Sequence, residues 1–178
     1  MTREQYDRGR RWAAGLREVA RWQAQGLIRE EAFDLTVWCY QESDAGLVTH
    51  SQFKKLTLDD IDECGFAGCA VGWLPYIMPD DFIWAQSDPA LPDSLDVLRR
   101  GGTTTRSFMH DEIAEWFGVT VQEARSIVYD SYYNFGYVDD GDGMWVKKGV
   151  RPEQVADRID EILTQYNERG WAQPSEKE

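Results

Sequence analysis

The segment Cys64-Gly65-Phe66-Ala67-Gly68-Cys69-Ala70-Val71-Gly72-Trp73 constrains the fold more than any other stretch of the chain. Seven of its ten residues are Cys, Gly or Ala, which let a backbone approach another backbone or a ligand closely. Inside a helix each glycine costs roughly 1 kcal/mol relative to alanine, so three of them need an offset. Close packing in the core is one such offset; a site built around Cys64 and Cys69 is the other. Read as a helix, the segment runs from about Gly65 to Ile77 and puts Phe66, Cys69, Ala70, Trp73 and Ile77 on one buried face. Gly68 and Gly72 stand four apart, where two backbones can meet. Asp59, Asp60, Asp62 and Glu63 come just before, at the helix end where negative charge is favoured. Pro75 falls late and kinks the helix or ends it.

A helix this poor in side chains needs neighbours that supply bulk. The chain has them: of its 178 residues 42% are hydrophobic, and eight are tryptophan. That is enough for one sizeable core, and a single domain over 1–178 is expected. Trp12, Leu16 and Val19, with Ala20 beside them, give residues 3–25 the buried face of a helix that Gly26 stops. A second helix is expected over 30–41, and a short one over 50–56. Residues 79–105, with Pro79, Pro89, Pro92 and Gly101-Gly102, read as a long irregular connection carrying one short helix near 94–100. Ser107 caps a helix over 107–117, which Gly118 ends. Thr120 and Glu123 form a capping box, so another helix runs from there to about 130. Aromatic and β-branched runs flank Asp139-Asp140-Gly141-Asp142-Gly143, the signature of a hairpin over 132–148. Pro152 opens a last helix that reaches about Tyr166 with Val155, Ile159, Ile162 and Leu163 on its buried face. Residues 171–178 form a polar, frayed tail. The expected fold is mainly α: six or seven helices with one small β-hairpin.

The net charge of −13 is uneven. Residues 1–29 hold seven arginines against Glu4, Asp7 and Glu18, so the rest is strongly acidic. Arg3, Arg10 and Arg17 recur every seven residues, with Arg21 one turn on, and make a basic stripe. Its simplest role is to dock on the chain's own acids. An acidic body repels nucleic acid and suits a basic partner. A polar N-terminus, the absence of any long apolar run and an odd count of three cysteines lead to a cytoplasmic location without a membrane span.

Residues 113–128 have helix-turn-helix spacing through Ala114, Gly118, Val119 and Ile127. The second helix offers only Gln122 and Arg125 to a nucleic acid and also carries Glu123, so a tight helical hairpin is the preferred reading. The Asp139–Gly143 turn misses the calcium-loop register, because Met144 stands where the third acid is needed. Cys64 and Cys69 are too far apart for a zinc pair, and Cys39, His50 and His110 add no ligand spacing. No metal and no cofactor are expected. Arg99, Arg100 and Arg106 could face an anion beneath the 79–105 connection, although no phosphate-loop motif is present. Cys64, at a helix start, with His110 as base would make a thiol nucleophile. The four acids before Cys64 oppose that by raising a thiol pKa.

Cys64, Gly65, Cys69 and Gly72 resemble the pattern Cys-Gly-Thr-x-x-Cys-x-x-Gly of uncharacterised small proteins of phages and their bacterial hosts, with Phe66 departing from it. Phe117-Gly118-Val119-Thr120 and the helix from Pro152 are similar to the later parts of those proteins. The resemblance covers about half the chain and implies no reaction; a phage origin implies a protein that binds a host factor. Glu63-Cys64-Gly65-Phe66 also resembles the nucleophile segment of NlpC/P60-type cysteine peptidases. Those place their histidine on a strand, whereas His110 stands in a helical stretch. The expected function is an acidic, non-enzymatic interaction protein with a protein partner, of the phage-inhibitor kind. A cysteine hydrolase using Cys64 and His110, or a protein that sequesters a small molecule or nucleotide, are the alternatives.

Overall fold

The computed structural model describes residues 1–34, 39–40, 67–88, 91–100, 110–129, 133, 137–139, 145–147 and 149–169. Helix is the majority among them. The helices are α1 (Arg3–Ala24), the single turn α2 (Leu74–Ile77), α3 (His110–Phe117), α4 (Val121–Val128) and α5 (Pro152–Arg169). The strands are β1 (Cys39–Tyr40), β2 (Ala67–Gly68), β3 (Phe82–Asp88), β4 (Leu91–Arg99), β5 (Tyr137–Asp139) and β6 (Trp145–Lys147).

Helix α1 begins at a Thr2–Gln5 capping box and buries Gly9, Trp12, Ala13, Leu16 and Val19. It ends as expected: the Gly26 N–H donates to the Gln23 carbonyl and the Leu27 N–H to that of Trp22. Its long partner is α5, which buries Val155, Ala156, Ile159, Ile162 and Leu163 toward it. Gly9 permits the close approach. A Cβ there would lie 2.2 Å from Cε2 of Phe117 and 3.0 Å from Cδ2 of Leu163. The start of α1 also closes the end of α3: Gln5 Nε2 donates to the Glu115 carbonyl and Arg8 Nη1 to that of Trp116.

The small-residue segment is not a helix over 65–77. Its described part opens as strand β2, passes through a buried turn at 70–73, and reaches helix only at Leu74–Ile77, with Pro75 in the first turn where proline is tolerated. Cys69 and Trp73 are buried as expected, while Cys64 and Phe66 lie outside the described residues. A buried turn leaves backbone carbonyls without ladder partners, and burying them unpaired is costly. Tryptophan indoles supply the donors. Trp12 Nε1 donates to the Ala70 carbonyl at 3.0 Å and Trp84 Nε1 to that of Gly72 at 2.8 Å. Trp73 Nε1 in turn reaches the Ala32 carbonyl at 3.0 Å.

Residues 82–99 are a second correction. In place of an irregular connection with a helix near 94–100, β3 and β4 pair antiparallel, with Trp84 opposite Val97 and a register shift between Gln86 and Asp88. Phe82, Trp84 and Val97 are buried, with Ile83 and Leu98 less so, the alternation of a sheet with one covered face. β1 joins β4 and β2 to make a four-stranded sheet of order β2-β1-β4-β3. Where a helix was expected over 30–41, the described part holds a 3-10 turn at Glu30–Ala32 and β1 instead; residues 35–38 and 41 lie outside the described residues. The hairpin is present as β5 against β6, with Val138 opposite Val146. The described residues hold five α-helices where six or seven were expected; the 50–56 helix and the 171–178 tail lie outside them.

Candidate functional site

Helices α3 and α4 form a tight unit. Gly118 turns the chain between them at φ 74°, a conformation that disfavours any side chain. Thr120 then caps α4: its hydroxyl accepts from the Glu123 N–H at 3.2 Å, and Glu123 Oε2 accepts from the Thr120 N–H at 2.7 Å. Ile113, Ala114, Trp116 and Phe117 of α3, with Ala124, Ile127 and Val128 of α4, face the core. Glu123 does not face outward as an acid on the second helix. Its carboxylate also accepts from the Tyr166 hydroxyl at 2.9 Å, which ties α4 to α5. Burial works to raise its pKa, but the Thr120 and Tyr166 hydrogen bonds outweigh burial and hold it below the usual carboxylate value. Arg158 donates to Ser126 Oγ at 3.1 Å, and the Tyr133 hydroxyl to the Ile127 carbonyl at 2.7 Å, so the unit is pinned from several sides.

The outer face of α4 presents Val121, Gln122 and Arg125, with Tyr129 exposed at its C-cap. Val121 is 39% and Tyr129 42% exposed, uncommon for large apolar side chains here. His110, the first residue of α3, meets this face. Its Nε2 lies 3.4 Å from an Arg125 guanidinium nitrogen, and its Nδ1 lies 3.4 Å from the Tyr129 hydroxyl. Asp111 Oδ1 is 3.9 Å from the same Nε2. The convergence of His110, Arg125 and Tyr129 was not read from the sequence. Its signals were the four-residue spacing of Arg125 and Tyr129 and the place of His110 at the start of the helix before them.

The expected site residues fare differently. Cys69 is buried in the core, and burial pushes its thiol up to about 11, so it is a neutral packing group at physiological pH. Cys64, the proposed nucleophile, and Arg106 lie outside the described residues. Arg99 ends β4 and Arg100 follows it in a turn. They do not sit beneath an irregular loop, because β3 and β4 replace that loop. Arg100 is occupied: its Nε donates to the Pro79 carbonyl at 2.8 Å and its backbone N–H to that of Asp81 at 2.8 Å. Among the described residues no three His, Cys, Asp or Glu side chains gather as a metal site, and no helix is long and apolar enough to cross a membrane.

The basic stripe of α1 docks on the chain's own acids. Arg17 bridges Asp157 at 2.7 Å and Asp160 at 2.8 Å, both on α5, and Arg10 lies 3.9 Å from Asp160. Arg3, Arg8 and Arg21 pair with Asp7, Glu4 and Glu18 on α1 itself. Arg11 lies 3.8 Å from Asp81. No family model matches the chain, and no curated protein sequence or solved structure matches it.

Proposed function

We propose that this protein acts by binding a protein partner and not by catalysis, and that the partner offers a basic surface. The observation that carries this reading is the fate of the α1 arginines. The one basic stripe of the sequence is consumed by the molecule's own carboxylates, so it is not a free grip for phosphates. Exposed acids remain on two helices: Asp111 and Glu115 on α3, and Glu168 and Glu161 on α5, the last paired with Arg158 at 2.9 Å. With a chain charge of −13, the net field of the molecule steers a basic partner toward it. The buried Cys69 adds nothing to a thiol mechanism. A phage-type inhibitor of a host protein fits the same description.

The test is capture of a partner from bacterial lysate at low and high salt, with wild type beside a Glu161→Lys, Glu168→Lys variant. Capture that falls steeply with salt and is lost in the variant supports the reading. A salt-insensitive complex, or none, counts against it. Rapid, selective alkylation of Cys64 by iodoacetamide at pH 6 would favour the hydrolase alternative instead.

A further inference from the structure

We infer that His110, Arg125 and Tyr129 together form a binding site for a phosphate group. The site adjoins Asp111, one of the exposed acids named above, and is distinct from the Arg99, Arg100 and Arg106 set expected from the sequence. Acids outnumber bases in this chain, 32 to 19, and the arginines of α1 described above each have a carboxylate partner. Arg125 is different. Among the described residues its guanidinium has no carboxylate within salt-bridge distance, and it faces the imidazole of His110. A guanidinium, an imidazole and a phenol then converge from two helices onto one patch. All three can donate, and a phosphate accepts from each.

The mutual contacts of the trio are weak. Both hydrogen-bond distances are 3.4 Å, at the long end of the range, so an entering oxyanion displaces little. Access and rigidity are both present. Arg125 on α4 and Tyr129 at its C-cap are both exposed, while the His110 side chain is only 20% exposed and so held in place. The capping box, the Glu123–Tyr166 bond and the Ser126–Arg158 bond fix α4 beneath them. Among the described residues Asp111, near His110 Nε2, opposes. Its side chain is 74% exposed and can turn into water, so it weakens the site without filling it.

Phosphate can come from two sources. A free phosphomonoester such as a nucleotide needs only the trio. The backbone of duplex DNA would offer the same group to the trio, against the repulsion of a chain charge of −13.

The experiment follows the His110 imidazole protons by NMR at constant ionic strength. Inorganic phosphate, a nucleoside monophosphate and a short DNA duplex are titrated separately, with chloride as control. His110→Gln assigns the signal. A saturable shift is expected with phosphate, weakened about tenfold or more in Arg125→Ala and Tyr129→Phe together. Asp111→Asn should bind several-fold tighter, which a merely structural cluster would not do. Binding of the duplex with this same dependence identifies the DNA backbone as the source; binding of phosphate and nucleotide alone identifies a free ligand. No saturable shift with any probe, or an Arg125→Ala protein that binds like wild type, overturns the inference. Asp111, Arg125 and Tyr129 are exposed, and circular dichroism checks the fold of every variant. Because no protein partner is present, this result and the capture experiment stand or fall separately.

Discussion

At the residue scale, the tryptophans do more than fill volume. Trp84 spans from the sheet to the buried turn and satisfies the Gly72 carbonyl. Trp84→Phe keeps an aromatic ring but removes the donor. The carbonyl is then buried without a partner, which costs about 1–3 kcal/mol. Urea denaturation should show that loss; a change below about 0.5 kcal/mol would mean that the hydrogen bond contributes little. Cys69 gives a second expectation. Its folded pKa is about 11 against an ordinary 9.0, because burial disfavours the thiolate. A raised folded pKa means that the stabilisation is complete below pH 9 and is lost as pH rises from 9 toward 11. Stability of the wild type should therefore fall more steeply over that window than that of Cys69→Ala, by roughly 2–3 kcal/mol across it.

At the element scale, two contacts position the α3–α4 unit. Gly9 lets α1 meet Phe117, and a methyl group there would overlap the ring. Gly9→Ala should cost about 1–3 kcal/mol by overpacking, although alanine is the better helix former. A melting temperature equal to or above wild type would show that Phe117 moves aside freely. Glu123 closes the other side through Thr120 and Tyr166. Its folded pKa is depressed, so its contribution is present above the usual carboxylate pKa and fades as pH falls through the folded value. Glu123→Gln should be less stable than wild type at pH 7, and the gap should narrow in acid. A gap that stays constant with pH would assign the effect to packing alone.

At the scale of the whole molecule, α1 and α5 clamp the fold, and Arg17 is their polar tie. It holds Asp157 and Asp160 at once, and its pKa is raised chiefly by the bond to Asp157. The side chains are partly exposed, so the tie is modest. Arg17→Gln should cost about 1 kcal/mol or less at low salt, and less still at high salt, because two carboxylates left side by side repel until screened. Salt-independent destabilisation would point to the arginine stem and not to its charge.

Features that depend on a few neighbouring residues were legible in the sequence. The buried stripes of α1 and α5 follow from the helical period, the stop at Gly26 and the turn at Gly118 from chain chemistry, and the cap of α4 from Thr120 and Glu123. The β5–β6 hairpin announced itself by its turn residues. The arginine stripe and its docking on the chain's own acids were also anticipated, because charge balance is a property of composition. What the tertiary structure decided lies between distant residues. Cys69 to Trp73 read as a helix because small residues tolerate one; they form a turn because Trp12 and Trp84 bring donors from elsewhere in the chain to its carbonyls. Pro92 made 79–105 read as a loop, yet it falls where the β3–β4 register shifts and a missing N–H breaks no regular ladder. The meeting of His110 with Arg125 and Tyr129 belongs to the same class, since it exists only once Gly118 has folded one helix back on the other. Local periodicity and capping act within a few residues and leave a mark in the sequence, whereas hydrogen bonds across a core depend on which distant partners arrive.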